Sequence, residues 1–371
     1  MIQRPSWLPN YVPELDGLRG IAIGAVLLYH CKERLVGTPL HAVVEWGWAG
    51  VNLFFVLSGF LITGILLESR GRERFFTNFY ARRALRIWPV YILLLALYYI
   101  AVPWTFSGFW WAWHETKSAP WLHYVFFVQN LFVLALPGAI GPTWSLAIEE
   151  QFYVVWAPVA RFLKPSALMA VLIALLCISP FLRMANLPLS PTHTLLHLDG
   201  LAVGSLIAVS LRTLHWPKHV WKKIAVAALV IGGCGAVALL YQGSAFSDSF
   251  LALTFGGMLL TAVLGTEKHS IYGSALKWAP LSFLGTISYG LYMTHILTFT
   301  VIGAFDRRMD AHGVAGNLAV VAVRLVVSIT VATVLWYGFE KPILRLKKHF
   351  SGSRKPASRA PEMALEPATA D

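Results

Sequence analysis

Three ionisable side chains stand in one apolar stretch, LDGLRGIAIGAVLLYH at residues 15–30: Asp16, Arg19 and His30. Arg19 and His30 are eleven residues apart, which at 100° per residue is three turns plus about 20°, so on a helix both look the same way. Asp16 falls about 40° from His30 on that side and precedes Arg19 by three positions, a helical pairing distance. Together they form a polar stripe some ~16 Å long. An imidazole titrates close to working pH and can take a proton from a hydroxyl. A guanidinium can hold a phosphate or orient a polar ligand.

A second stretch, PTWSLAIEEQFYVVWAP at 142–158, spaces Ser145, Glu149 and then Phe152 and Tyr153 three and four apart. A hydroxyl and a carboxylate therefore share one helix face. Glu150 points about 100° away from Glu149 and is placed to meet a base on a neighbouring helix. In FYARRALRIWPVY (79–91), Arg82, Arg83 and Arg86 cluster at the start of an apolar segment, with Arg82 and Arg86 at i and i+4. Guanidinium pairs bidentately with phosphate oxygens, so this cluster suits a phosphorylated ligand, and it equally serves as an orientation signal.

Weaker signals follow. HLDGLAVGSLIA (197–208) sets Asp199 at the mouth of an apolar segment, ahead of a small-residue face from Gly200 to Gly204 that allows close helix packing. LGTISYGLYMTHI (284–296) carries Ser288, Tyr289, Tyr292 and His295, with Ser288, Tyr292 and His295 near one face. GWAGVNLFFVLSGFLITG (47–64) is rich in glycine and aromatics, as a lining or tightly packed helix would be.

The elements that must position these groups are membrane helices. The 371 residues are 57% hydrophobic and 13% charged, against about 25% charged in soluble domains, and the mean hydropathy is +0.62. Apolar segments near the ~20 residues needed to cross a bilayer recur at 18–36, 46–67, 87–103, 120–136, 143–163, 165–185, 197–214, 224–241, 249–265, 280–303 and 317–338. Eleven crossings would export two basic stretches if the arginine-rich loop 68–86 is cytoplasmic, against the positive-inside rule. The conflict disappears if 120–136, which carries His123, Gln129 and Asn130, is a re-entrant segment buried in protein.

The expectation is an all-α integral membrane protein of about ten transmembrane helices plus a re-entrant segment, with both termini cytoplasmic. That assignment leaves 22 of the 30 Lys and Arg in the cytoplasm and Lys32, Arg34, Lys117, Arg183, Arg307 and Arg308 outside, with Arg19 and Arg324 within spans. Residues 1–345 form the membrane domain, and 346–371, rich in Pro, Ser, Ala and charge, a disordered cytoplasmic tail. The net charge of +12 then reflects orientation, and nucleic acid is not an expected partner. Cys31, Cys177 and Cys234 show no metal-site or disulfide spacing, and no metal is expected.

Taken in order, LDGLRGIAIGAVLLYH, GVNLFFVLSGFLIT, FYARRALRIWPVY, PTWSLAIEEQFY, LDGLAVGSL, SYGLYMTHI and FEKPI resemble the acyltransferase 3 family, multi-pass membrane O-acyltransferases of bacterial O-antigens, exopolysaccharides and nodulation factors. The set spans about residues 12–345. The resemblance implies transfer of an acyl group, most often acetyl, from cytoplasmic acyl-CoA to a hydroxyl of a cell-envelope or secreted carbohydrate, at a bacterial inner membrane. It carries essential roles to Arg19 and His30, the double-arginine motif to Arg82 and Arg83, and the tryptophan-serine-glutamate motif to Trp144, Ser145 and Glu149. The fused hydrolase-like domain of some relatives has no counterpart here, so a stand-alone enzyme is expected.

Combined with the topology, this reading makes His30 the general base on the acceptor hydroxyl, with Glu149 orienting or stabilising the imidazolium or holding the acceptor. It makes Arg19, Arg82, Arg83 and Arg86 the acyl-CoA side. Asp16, Trp144, Ser145, Tyr153, Asp199, Tyr289 and His295 line the site or hold the acceptor. The competing class is a proton-coupled transporter of a lipid-linked sugar, whose sign would be paired, Gly- or Pro-interrupted helices in repeated halves; no such repeat is visible.

Overall fold

The computed structural model describes residues 4–101, 120–132, 138–240, 242–265, 271–306 and 313–350. Every regular element among them is helical, because each long apolar segment can satisfy its backbone only within itself. Ten helices exceed fifteen residues: α1 Glu14–Tyr29, α2 Gly50–Ser69, α3 Phe75–Ala96, α4 Thr143–Phe162, α5 Pro165–Met184, α6 Leu198–Thr213, α7 Lys218–Leu240, α8 Ser247–Leu264, α9 Ala279–Asp306 and α10 Gly313–Leu335. They coincide with the ten segments expected to cross.

By length and composition, six helical stretches among the described residues can cross a membrane: His41–Ser69, Phe75–Ile100, Pro165–Met184, Lys218–Leu239, Ser247–Leu264 and Gly313–Phe350. The protein is therefore a multi-pass membrane protein. The helices outside that set include α1, which is 16 residues long, and α4, whose Glu149, Glu150 and Arg161 dilute the apolar surface. In α5, α7 and α10 most of the apolar window faces outward, as expected of helices that meet lipid.

The expected re-entrant segment is broken into two short helices, Trp121–Val125 and Gln129–Phe132. Gln129 and Asn130 are buried and bonded to protein: Gln129 Nε2 donates to the Thr143 carbonyl (3.0 Å) and Asn130 Nδ2 to Thr194 Oγ1 (2.8 Å). Gln151 Nε2 donates to Asn130 Oδ1 (2.8 Å). These bonds let non-helical backbone stay inside the protein. Residues 133–136 of that segment, the basic residues Lys117, Arg307 and Arg308, and tail residues 351–371 lie outside the described residues.

Two close helix contacts frame the interior. A Cβ on Gly285 would lie 1.8 Å from the Asp16 carbonyl oxygen, so α9 touches the α1 backbone just before Arg19. A Cβ on Gly204 would lie 1.9 Å from the Val56 carbonyl, which seats α6 on α2 as the small-residue face anticipates. The helices α1, α2, α4 and α9 thereby surround the space where the chemistry-bearing residues meet. At one end of the bundle the chain around Arg70 and Arg72, the α4–α5 junction at Lys164 and the end of α6 at His215 line a common pocket, so three basic segments expected on one side share one end.

Candidate active site

Two cavities lie in line through the middle of the bundle. The first, about 260 Å³, opens toward the arginine-rich end and is lined by Arg19, Ser58, Arg83, Arg86, Ser145 and Glu149, among apolar residues of α2 and α9. The second, about 630 Å³, lies toward the opposite end and is lined by Tyr29, His30, Trp48, Asn52, Trp144, His197 and Asp248. Val51 and Tyr292 line both. The hydroxyls of Tyr292 and Ser145 are 2.7 Å apart, and the Pro142 carbonyl lies 3.2 and 3.1 Å from them, so one hydroxyl donates to the other while the second donates to that carbonyl. This hydroxyl pair stands at the boundary between the cavities.

Arg19 and His30 face this interior from α1, as their spacing requires, but at different depths: Arg19 in the first cavity, His30 in the second. Asp16 pairs with Arg19, its Oδ1 2.7 Å from Nη1, and accepts a hydrogen bond from Tyr11 Oη on its other oxygen. That bond pushes the Tyr11 phenol up to about 12, so the hydroxyl stays a donor to the carboxylate.

His30 closes α1 as its C-terminal cap. Its Nδ1 is 2.9 Å from the Val26 carbonyl, an atom that can only accept, so in the neutral ring Nδ1 carries the hydrogen and Nε2 the lone pair. His295, fully buried on α9, repeats the pattern with Nδ1 2.7 Å from the Tyr292 carbonyl. Its Nε2 lone pair then faces His30 Nδ1 at 3.4 Å. The two rings meet edge-on, 4.9 Å between centroids. A buried acceptor thus backs His30, a contact that a lone membrane histidine does not announce in sequence.

Glu149 is not beside His30. It lines the first cavity, and its Oε2 accepts a hydrogen bond from Tyr153 Oη at 2.9 Å. Tyr153, buried behind the cavity wall, also contacts the Ser58 hydroxyl and carries the Arg83 guanidinium over its ring at 4.4 Å. Desolvated stacking of this kind is worth up to about 2 kcal/mol and fixes where the charge points. The reason for the displacement is depth. Helix α4 descends from Ser145 at the boundary, and four residues at 1.5 Å each put Glu149 ~6 Å further toward the arginines. Glu150 is part-buried, and its Oε1 makes no hydrogen bond among the described residues.

Of the three arginines at the start of α3, Arg83 and Arg86 line the first cavity, with Arg86 also over the Trp336 ring at 5.8 Å. Arg82 is exposed and lines neither cavity, so the i, i+4 pair expected of Arg82 and Arg86 is replaced by Arg83 and Arg86. Tyr289 lines the first cavity and donates to the Ile87 carbonyl at 2.6 Å, tying α9 to α3. Trp144 lines the second cavity and packs on His197 at 5.1 Å.

Asp199 is buried and ion-paired to Arg183 at 2.8 Å, behind the second cavity. The carboxylate that does line that cavity is Asp248, at the start of α8. Asp248, His197 and Asn52 escaped the sequence reading, although an acid opening an apolar helix is the same signal that drew attention to Asp199. Arg324, deep in α10, lies over the Phe299 ring at 5.5 Å. Among the described residues no three His, Cys, Asp or Glu side chains group as a metal site.

The structure is thus a helical membrane bundle in which a cavity lined by arginines and a cavity lined by His30 share the wall residues Val51 and Tyr292. Residues 12–337 match the family of acyltransferase domains, and the chain belongs to that family. It is 30% identical over 332 residues to the peptidoglycan O-acetyltransferase OatA of Listeria monocytogenes, covering 78% of this chain and 50% of that protein. Over 329 residues it is 26% identical to the O-acetyltransferase OatA of Staphylococcus aureus, covering 80% and 52%. Over 373 residues it is 27% identical to YrhL of Bacillus subtilis, covering 90% and 55%. The chain spans about half the length of these curated relatives. No solved structure matches the fold.

Proposed function

We propose that the protein is an O-acyltransferase of a bacterial cytoplasmic membrane, crossing it ten times with both termini inside, that moves an acetyl group from acetyl-CoA to a hydroxyl of a cell-envelope carbohydrate. Peptidoglycan is the first acceptor to test, since it is named for the Listeria relative. The observation that carries the reading is the junction of the two cavities at Val51 and Tyr292, with arginines on one side and His30 on the other.

On this reading acetyl-CoA enters from the arginine-rich, cytoplasmic end. Arg83 and Arg86 hold its phosphates, Arg19, aligned by Asp16, orients the donor near its thioester, and Arg82 supplies the more distant, solvent-exposed charge. The carbohydrate occupies the second, outward cavity. His30 Nε2 takes the acceptor hydroxyl proton as that oxygen attacks the thioester carbonyl carbon, the carbon–sulfur bond breaks, and CoA leaves as thiolate to be protonated. His295 supports the imidazolium by accepting from Nδ1–H. Glu149, with Tyr153, anchors Arg83 on the donor side and does not touch the base. The two-step alternative forms an acyl-histidine on His30 before the acceptor attacks.

The test compares cell-envelope glycans from a deletion strain and its parent by NMR. A missing O-acetyl signal, restored by the wild-type gene and not by His30→Ala, is the expected result. Full restoration by His30→Ala removes the histidine from the chemistry. Labelled acetyl-CoA supplied without acceptor separates the two routes, because label retained on the protein means a covalent intermediate.

A further inference from the structure

Arg183 lies beside two carboxylates and bonds only one of them. Its Nε donates to the Ala245 carbonyl (2.7 Å), its Nη1 to the Leu196 carbonyl, and its Nη2 to Asp199 Oδ2 (2.8 Å) and Ser249 Oγ (3.1 Å). Asp248 Oδ2 is 3.8 Å from Nη1, near enough for charge and too far for a hydrogen bond. His197 Nδ1 is 3.9 Å from the same oxygen. The His197 Nε2 hydrogen goes to the Pro191 carbonyl at 2.8 Å, which leaves Nδ1 with a lone pair. The one hydrogen bond Asp248 accepts among the described residues is a long one, 3.4 Å from Asn52 Nδ2 to Oδ1.

A carboxylate has room for about four hydrogen bonds. Asp248 makes one weak bond and opens on the cavity that contains His30. Arg183 stands within charge range of the carboxylate while the donors of that guanidinium point at other acceptors. Such a group is poised to accept hydrogen bonds from a ligand rich in hydroxyls. The same cavity presents Trp48 and Trp144, whose flat rings suit the C–H face of a pyranose, and the Asn52 amide, which can both donate and accept. At about 630 Å³ it lies within the ~300–1,000 Å³ of small-ligand sites.

We infer that Asp248, with Asn52 and His197, forms the clamp that holds a neutral pyranose in the outer cavity and turns one of its hydroxyls toward His30. The inference rests on the proposed function for the identity of the cavity, and it adds the residues that select the acceptor. Asp199 is a positioning residue: it takes an Nη2 hydrogen of Arg183 and holds the guanidinium beyond hydrogen-bond distance of Asp248. A fixed carboxylate also disfavours a sugar unit bearing its own carboxylate at that position.

The experiment titrates the full-length protein in detergent with a β-1,4-linked N-acetylglucosamine tetramer by calorimetry, and separately with acetyl-CoA. Wild type binds the tetramer saturably, Asp248→Asn weakens that binding at least tenfold, and acetyl-CoA affinity is the same in both. Equal tetramer affinity in wild type and Asp248→Asn overturns the inference, as does absence of saturable binding to wild type. If Asp248→Asn does not fold, Asn52→Ala decides: unchanged tetramer affinity there overturns the clamp. Saturable tetramer binding without any acetyl transfer to it contradicts the acyltransferase reading and leaves the clamp standing.

Discussion

The hydroxyls of Tyr292 and Ser145 are 2.7 Å apart at the one level of the bundle where the arginine cavity and the histidine cavity adjoin. The contact joins α9 to α4, the helices that carry His295 and Glu149, so both halves of the site are referenced to one hydrogen bond.

Tyr292→Phe removes that bond while the Ser145 hydroxyl keeps the Pro142 carbonyl. The expected outcome is a stability loss of about 1 kcal/mol and a severalfold rise in CoA release without acceptor, because water from the outer cavity reaches the donor. A thiol-reactive dye reads the release. An unchanged acceptor-free rate means that the boundary lies elsewhere.

Replacing His30 by Ala should lower transfer by at least about 10²-fold, the usual range for a general base, while the protein still fractionates with membranes. His295→Phe preserves bulk and removes the Nε2 acceptor, so its transfer rate should fall by a smaller factor and its acetyl-CoA KM should stay put. Equal losses in the two variants would place His295 among the reacting groups.

Arg83→Ala and Arg86→Ala should each raise the acetyl-CoA KM about tenfold or more, since a hydrogen bond to a charged group is worth about 1.5–3 kcal/mol. The exposed Arg82 lines neither cavity, and Arg82→Ala should change that KM by less than threefold, on the order of a surface charge. Initial rates over a donor titration distinguish them, and a larger effect at Arg82 reverses the assignment.

Gly285→Val inserts a side chain where even a Cβ sits 1.8 Å from the Asp16 carbonyl, and should destabilise the protein by at least about 1–3 kcal/mol through overpacking. Gly24→Val, on the facing α1 helix with nothing within 4 Å of its added Cβ, should cost little. Thermal melting of both variants in one detergent checks the pair.

Periodicity and length were enough to place the ten long helices and the shared face of Arg19 and His30, because each is a property of one stretch of chain. What they could not supply is depth. Glu149 and His30 each face the interior, yet α1 rises where α4 descends, and only the packed bundle levels Glu149 with Arg83. The same limit governs Asp199 and Asp248: both open apolar helices, and the landing place of Arg183, distant in sequence from Asp248, decides which carboxylate is consumed and which remains available. Arg82 and Arg83 are adjacent in sequence and separate only when α3 turns one of them outward.

The placement of Arg19 and His30 on one uninterrupted helix makes α1 a gauge. Its length is set by backbone hydrogen bonds and does not yield to side-chain adjustment, so the ~16 Å from cation to base is fixed. On the proposed reading, a donor is screened by the reach of its arm: the thioester must pass Arg19 and arrive at the level of Tyr292 while the anionic end is still held at Arg83 and Arg86. Lengthening the gauge by a full turn would mistune it without altering any residue of the site.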